Sequence, residues 1–248
     1  GSTRSGAHGQ EKVLICSHGA GRDRRAWLRH TPSLLARGYM CLAFDFRSHG
    51  ISDRAALFQL GGTSLGMLEK EDIIAAVRFV KKLKPKAKIH LVGTSTGAVA
   101  SILAVANDQV VRSSVACIVA ENPFAAPESV ASHTVSAVVF AVLICKNNSL
   151  AFALLYPLMR VVKFMAFYKL RWELKRRYGS LLYCSQEIRK VATPLLLMHG
   201  TVDKIVPCQD SEVLYGAAGV DAGTLGHATP KELWMCPEAE HCQLGDKE

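Results

Sequence analysis

Compact apolar runs alternate along this chain with amphipathic or Ala-rich stretches, and the rhythm reads as strands and helices taking turns. Residues 12–17 (Lys-Val-Leu-Ile-Cys-Ser), 39–46, 88–92 and 114–120 are apolar runs of the length that a buried strand needs. Between them lie a short helical segment at 32–37, stopped by Gly38, and an amphipathic helix at 69–84. In that helix Ile73, Ile74, Val77, Phe79, Val80 and Leu83 recur near helical spacing, so they are expected to form one buried stripe. Glu69, Lys70 and Glu71 open it and Lys81 and Lys82 close it, an order that suits the helix dipole and places these charges on a solvated face. Pro85 ends the helix, and a further Ala- and Val-rich helix occupies 98–106. This alternation predicts an α/β fold: a mostly parallel sheet flanked by helices on both faces.

After residue 120 the rhythm breaks. Two apolar helical tracts follow, 135–145 and 149–168. The first is too short to span a bilayer, and the second is interrupted by Pro157, Arg160 and Lys163, so both are expected to form a helical cap rather than membrane spans. Strand-like order resumes at 194–200, a helix is expected at 209–216, a Gly/Ala-rich loop covers 216–229, and a last strand runs over 232–236. The expected layout is therefore a core of residues 11–121 and 191–248, a cap insertion at 122–190, and a flexible leader at 1–10 whose Gly1-Ser2 resembles a cloning scar.

Composition narrows the partners. A chain of 248 residues with 49% hydrophobic content can bury one sizeable core. The balance of 30 Lys and Arg against 21 Asp and Glu, a net +9, favours anionic surfaces. No zinc finger, RNA-binding aromatic signature or basic helix-turn-helix accompanies that charge, so nucleic acid is not the expected partner. Within residues 163–178, Phe164, Phe167, Tyr168, Trp172 and Tyr178 are interleaved with Lys163, Lys169, Arg171, Lys175, Arg176 and Arg177. Two readings stand for this segment: a cap helix with a solvated basic face, or a helix that lies on an anionic membrane. Eight cysteines are scattered with no C-x-x-C pair, which points to reduced thiols in a cytoplasmic compartment, peripheral to a membrane if the second reading holds. Neither that pair nor H-E-x-x-H is present, so no metal and no cofactor are expected.

The chemistry gathers on Gly93-Thr94-Ser95-Thr96-Gly97, a G-x-S-x-G pattern entered by a strand and left by a helix. A serine hydroxyl needs a tight turn that exposes it to a base on one side and a carbonyl on the other, and Gly93 and Gly97 are where such a turn has no room for a Cβ. His18-Gly19-Ala20-Gly21 closes the first strand with a Gly-rich loop, either a plain turn or one that aims a backbone N–H at a substrate oxygen, with His18 bracing it. Asp45 and Arg47 read as structural. Asp203 follows the next-to-last strand and His241 the last.

That order of Ser95, Asp203 and His241 resembles the α/β-hydrolase superfamily, as do the His18-Gly19-Ala20-Gly21 loop, the segment from Asp45 to Ser52, and His199-Gly200-Thr201-Val202-Asp203. The closest likeness is to compact serine esterases and lipases related to monoacylglycerol lipases and serine aminopeptidases. The resemblance implies Ser95 as nucleophile, His241 as base and Asp203 as the acid that orients it, with the backbone N–H groups of Ala20 and Thr96 as the oxyanion hole. His227, preceded by Gly226, is a rival base, and Glu121, at the end of the 114–120 run, a rival acid. The expected activity is hydrolysis of carboxylic esters with an apolar or lipid-like acyl group, through an acyl-enzyme. A peptidase or amidase with the same residues and a non-catalytic binding protein of the same fold are the alternatives.

Overall fold

The computed structural model describes residues 10–53, 63–130, 182–221 and 230–242, together with Met165, Tyr168, Trp172, Lys175 and Arg176. Its centre is a six-stranded sheet: β1 (Lys12–Ser17), β2 (Tyr39–Ala43), β3 (Lys88–Thr94), β4 (Val115–Glu121), β5 (Leu195–Gly200) and β6 (Lys231–Cys236). The spatial order is β2-β1-β3-β4-β5-β6, and every neighbouring pair is parallel. The helices are α1 (Thr31–Ala36), α2 (Glu69–Leu83), α3 (Thr96–Asn107), α4 (Gln109–Ser114), α5 (Cys184–Glu187) and α6 (Gln209–Ala217). The chain leaves β1 towards one edge and returns through β3 on the other side, so the order reverses between these two strands. In open parallel sheets the crevice beyond the carboxyl ends at such a reversal is where ligands sit.

The strand expected over 39–46 stops at Ala43, because Phe46 gives its N–H to the His18 ring (3.0 Å) instead of to a neighbouring strand. Helix α4 went unread in the sequence. Its cap is local: the Asp108 side chain accepts the Val111 N–H at 2.9 Å. Helix α3 is buried along nearly its whole length, from Thr96 to Ala106, and carries Ile102, Leu103 and Val105 into the core between the sheet and α2. On α2 the buried stripe is Ile73, Ile74, Val77 and Val80. Phe79 and Leu83, expected in that stripe, are 52% and 60% exposed: at roughly 100° per residue Phe79 falls on the opposite face, and Leu83 flanks the stripe at the last residue of the helix.

Glu69 departs from its expected solvated face more sharply, being fully buried. Its carboxylate accepts from Thr63 Oγ1 (2.9 Å), the backbone N–H groups of Ser64 (2.8 Å) and Gly66 (3.0 Å), and the Ser64 hydroxyl. Those donors replace water and tie the entry loop to the helix N-terminus, a setting that tolerates a buried anion.

Of the expected cap, residues 122–130 and 182–190 are described, with the five positions named above, which are helical. The tract 135–145, most of 149–168, and the loop that carries His227 lie outside the described residues. No helix among the described residues is long and apolar enough to cross a membrane. The seven cysteines among them are all free thiols.

Candidate active site

Ser95 stands between β3 and α3 with φ 52° and ψ −116°, a conformation that a residue with a Cβ adopts only when its surroundings enforce it. Its N–H donates to Glu121 O (2.8 Å) on the neighbouring strand, and its carbonyl accepts from Val99 N (3.1 Å) in the first turn of α3. The sheet thus holds the turn from below and the helix from above. The two flanking glycines have no room to change. A Cβ on Gly97 would lie 2.5 Å from Ser17 O and 2.7 Å from His18 O, and one on Gly93 would lie 2.5 Å from the Gly97 carbonyl carbon. Because α3 starts at Thr96, that residue's N–H is a first-turn donor with no intrahelical acceptor, at the positive end of the helix dipole.

The loop after β1 is pinned by two imidazoles. His18 donates from Nδ1 to Gly19 O (2.8 Å) and accepts the Phe46 N–H at Nε2 (3.0 Å), which requires one neutral tautomer. Burial pushes the His18 pKa down, and the bond to Gly19 only partly opposes this, so the ring stays neutral as that tautomer demands. His49 accepts the Gly21 N–H at Nε2 (3.3 Å) and bonds Arg47 O through Nδ1 (2.9 Å). Asp45 accepts the backbone N–H groups of Arg24 (2.7 Å) and Ile51 (3.1 Å) and pairs with the Arg24 guanidinium, while Arg47 is paired with Asp72 of α2 at 2.6 Å. The segment from Asp45 to Ser52 therefore works as a brace for the loop that carries Gly19 and Ala20.

Asp203 and His241 meet because the loops after β5 and β6 are stitched together. Thr201 N–H donates to Cys236 O (3.0 Å) and Val202 N–H to Ala239 O (3.2 Å), and a side chain on Gly200 would collide with the Ala239 carbonyl. His241 Nδ1 lies 2.6 Å from Asp203 Oδ2. The other carboxylate oxygen, Oδ1, accepts the N–H groups of Ile205 (2.8 Å) and Val206 (2.9 Å). Burial alone would push the Asp203 carboxyl up, but hydrogen bonds from His199 and His241, the His241 charge and the Val206 N–H outweigh it and hold it well below the usual carboxylate range. A carboxylate there makes His241 Nδ1 the protonated nitrogen and leaves Nε2 as an acceptor.

The depressed carboxyl gives a stability prediction. Its contribution is complete above the ordinary Asp value of about 3.9 and is lost as pH falls through the lower folded value. Asp203→Asn is therefore expected to reduce the loss of stability on acidification. Urea midpoints of both proteins from pH 6 downward test this, and parallel curves would contradict it.

Ser95, Thr96, Ala20, Gly19 and His241 all line one cavity of about 610 Å³. Phe124, Leu65 and Trp27 supply apolar wall, with Arg22, Arg25 and Arg29 along it. Glu121 also lines the cavity, yet the carboxylate on His241 Nδ1 is that of Asp203. Cys242 is a further wall residue: burial pushes its thiol up to about 12, with Glu121 and Asp203 adding to the shift, so it stays protonated beside His241. Among the described residues no cluster of His, Cys, Asp and Glu has the geometry of a metal site. Sequence reasoning missed Asn122 altogether, and it read His49, His199 and Gly200 only as parts of the segments that carry the resemblance, without the contacts that the Gly21 N–H, the Ser211 hydroxyl and the Ala239 carbonyl give them here.

A family model described as serine aminopeptidase, S33, matches residues 8–248. The chain belongs to the S33 family of α/β hydrolases. Membership makes the protein a hydrolase of that type, and the parallel sheet order agrees with it. Comparison with curated protein sequences gives no match. Solved structures share the S33 chain's fold at low identity. The Pyrococcus furiosus esterase Pf2001 is similar at TM-score 0.65 and 22% identity, over 95% of this chain and 76% of that one. Rv0554 from Mycobacterium tuberculosis is similar at TM-score 0.62 and 18% identity, over 96% and 86%. Est1E from Butyrivibrio proteoclasticus, solved with ferulic acid bound, is similar at TM-score 0.57 and 18% identity, over 94% and 82%.

Proposed function

We propose that this S33-family protein is a serine hydrolase that cleaves carboxylic esters, with acyl or lipid-like substrates, through an acyl-enzyme. The observation that carries the reading is the 2.6 Å contact between His241 Nδ1 and Asp203, made by a histidine that shares one cavity with the strained Ser95. Ser95 Oγ attacks the ester carbonyl while His241 Nε2 takes its proton, and Asp203 holds the resulting imidazolium. The negative charge that develops on the carbonyl oxygen is met by the N–H groups of Thr96 and Ala20, where each donor typically contributes about 3 kcal/mol. Collapse of the intermediate breaks the ester C–O bond, and the leaving alcohol takes the proton from His241. Water then attacks the acyl-serine, passing a proton to His241, and the acid departs as Ser95 recovers that proton.

Apolar wall from Phe124, Leu65 and Trp27 supports an apolar acyl group, and one of the similar structures, Pf2001, is an esterase by name. The family description, serine aminopeptidase, favours a second reading in which the same residues cleave an amide. Rates on a short 4-nitrophenyl ester and on aminoacyl 4-nitroanilides separate the two. Faster turnover of the anilides would replace the ester reading by the amide one.

A membrane surface is proposed as the place of work. Met165, Tyr168 and Trp172, at helical positions i, i+3 and i+7, are 64%, 63% and 53% exposed, and Arg176 stacks on the Trp172 ring at 5.2 Å with Lys175 beside it. An exposed apolar row next to cations suits an anionic lipid surface, where each base contributes roughly 1 kcal/mol that salt screens. Binding to anionic vesicles is expected to exceed binding to neutral ones and to weaken as salt rises. Gln at Lys175, Arg176 and Arg177 should reduce it and spare turnover of a soluble ester. Equal binding to both vesicle types would return the segment to a solvated cap helix.

A further inference from the structure

We propose that Asn122 is a positioning residue that clamps Asp203 and the loop of His241 together and so sets the basicity of the imidazole; this rests on reading Asp203 and His241 as acid and base. Asn122 directly follows β4, is fully buried, and stands at φ 50° with its N–H given to Met198 O (2.7 Å). Its amide bridges the two loops. Nδ2 donates to Asp203 Oδ2 at 2.6 Å, and Oδ1 accepts the Cys242 N–H at 3.4 Å, one residue past His241. Both ends are chemically forced, because a carboxylate only accepts and a backbone N–H only donates.

The decisive feature is the shared atom. Asp203 Oδ2 takes Asn122 Nδ2 and His241 Nδ1, both at 2.6 Å, with His199 Nε2 at 3.3 Å. Three groups draw on one oxygen, so the amide competes for the charge that would otherwise hold the imidazolium. With Asn122 in place, the oxygen that orients the ring is divided between the amide and the imidazole, and removing the amide leaves it to the ring and His199. Other titratable or charged groups lie around the pair: His199 from β5 on Asp203 Oδ2 at 3.3 Å, the protonated Cys242 next to His241, Glu121 at the end of β4 and Arg22 acting on that cysteine, Arg29 on the Cys242 carbonyl at 3.4 Å, and, in the same two loops, the exposed Lys204–Glu240 ion pair at 2.6 Å. A change at Asn122 adds or removes no charge on these groups, although Cys242 loses the acceptor of its N–H, and N122D, which keeps the shape, separates that loss of geometry from the loss of the amide donor.

Two variants test this with a soluble 4-nitrophenyl ester. N122G removes the clamp and tolerates the positive φ. Its kcat is expected to fall roughly tenfold to a hundredfold through misplaced geometry, with KM within about twofold. The acid limb of its kcat/KM profile should move up by about half to one pH unit, because a carboxylate with one donor fewer retains the imidazolium longer. N122D keeps the shape. Two carboxylates in such contact cannot both ionise, so they share one proton, and that proton replaces the lost donor at low pH. The N122D rate relative to wild type should therefore be greatest in acid and decline as the proton leaves. A wild-type kcat and acid limb in N122G would overturn the proposal, as would a pH-independent rate ratio in N122D, which decides alone if N122G does not fold. If Ser95→Ala retains turnover, the catalytic reading fails and Asn122 with it. If Ser95→Ala is inactive while N122G matches wild type, only the clamp fails.

Discussion

Ser95→Ala is expected to lower ester turnover by on the order of 10⁶-fold, the scale seen when the nucleophile of a serine hydrolase is removed. Labelling by a fluorophosphonate should vanish with it, while the far-UV spectrum and melting temperature stay near wild type. The stability half of that expectation follows from the backbone. Alanine at φ 52° carries the same strain as serine, and the N–H bond to Glu121 O and the carbonyl bond from Val99 N are both main-chain. His241→Ala should cost a comparable factor, since serine and base act as a unit. His227→Ala should cost little. Turnover retained by the serine variant would sink the assignment, and the opposite pattern in the two histidine variants would move the base to His227.

The largest expected loss of stability comes from Gly97→Ala. The added Cβ would stand 2.5 Å from Ser17 O, 2.7 Å from His18 O and 2.8 Å from Ser17 C, all main-chain atoms of the strand end that leads into the braced loop. A flexible side chain could turn aside, but this backbone is fixed by the β1–β3 ladder and by the His18 bonds to Gly19 and Phe46. The cost is expected at about 3 kcal/mol or more, the upper part of the range for overpacking. It should be accompanied by loss of fluorophosphonate labelling, because α3 must shift and Ser95 with it. Gly216→Ala is the matched control. Gly216 sits within α6 with nothing near its would-be Cβ, so alanine there should be neutral or stabilising by about 0.5–1 kcal/mol. Urea denaturation of both variants makes the comparison, and a Gly97 variant as stable as the Gly216 one would show that the elbow has slack.

Much of the molecule is legible from the chain alone, for a physical reason. Buried strands and amphipathic helices write their period into consecutive residues, so the run from Lys12 to Ser17 and the stripe of Ile73, Ile74, Val77 and Val80 announce both the element and the face it buries. Strain at a tight turn also has a local signature, and Gly93 and Gly97 around Ser95 are its trace. A mostly parallel α/β sheet, with a serine turn between a strand and a helix, follows from such signals. Tertiary structure decided the rest, because it depends on which atoms meet across the fold. Glu69 reads as a surface charge until Thr63, Ser64 and Gly66 surround it. Leu83 keeps the stripe's spacing, three residues after Val80, yet stands exposed at the last residue of the helix, whereas Phe79 is off the stripe by its spacing alone. Asn122 lies 81 residues from Asp203 and shows no pattern in the sequence, and only the pairing of β4 with β5 and of β5 with β6 brings its amide to the oxygen that His241 also holds.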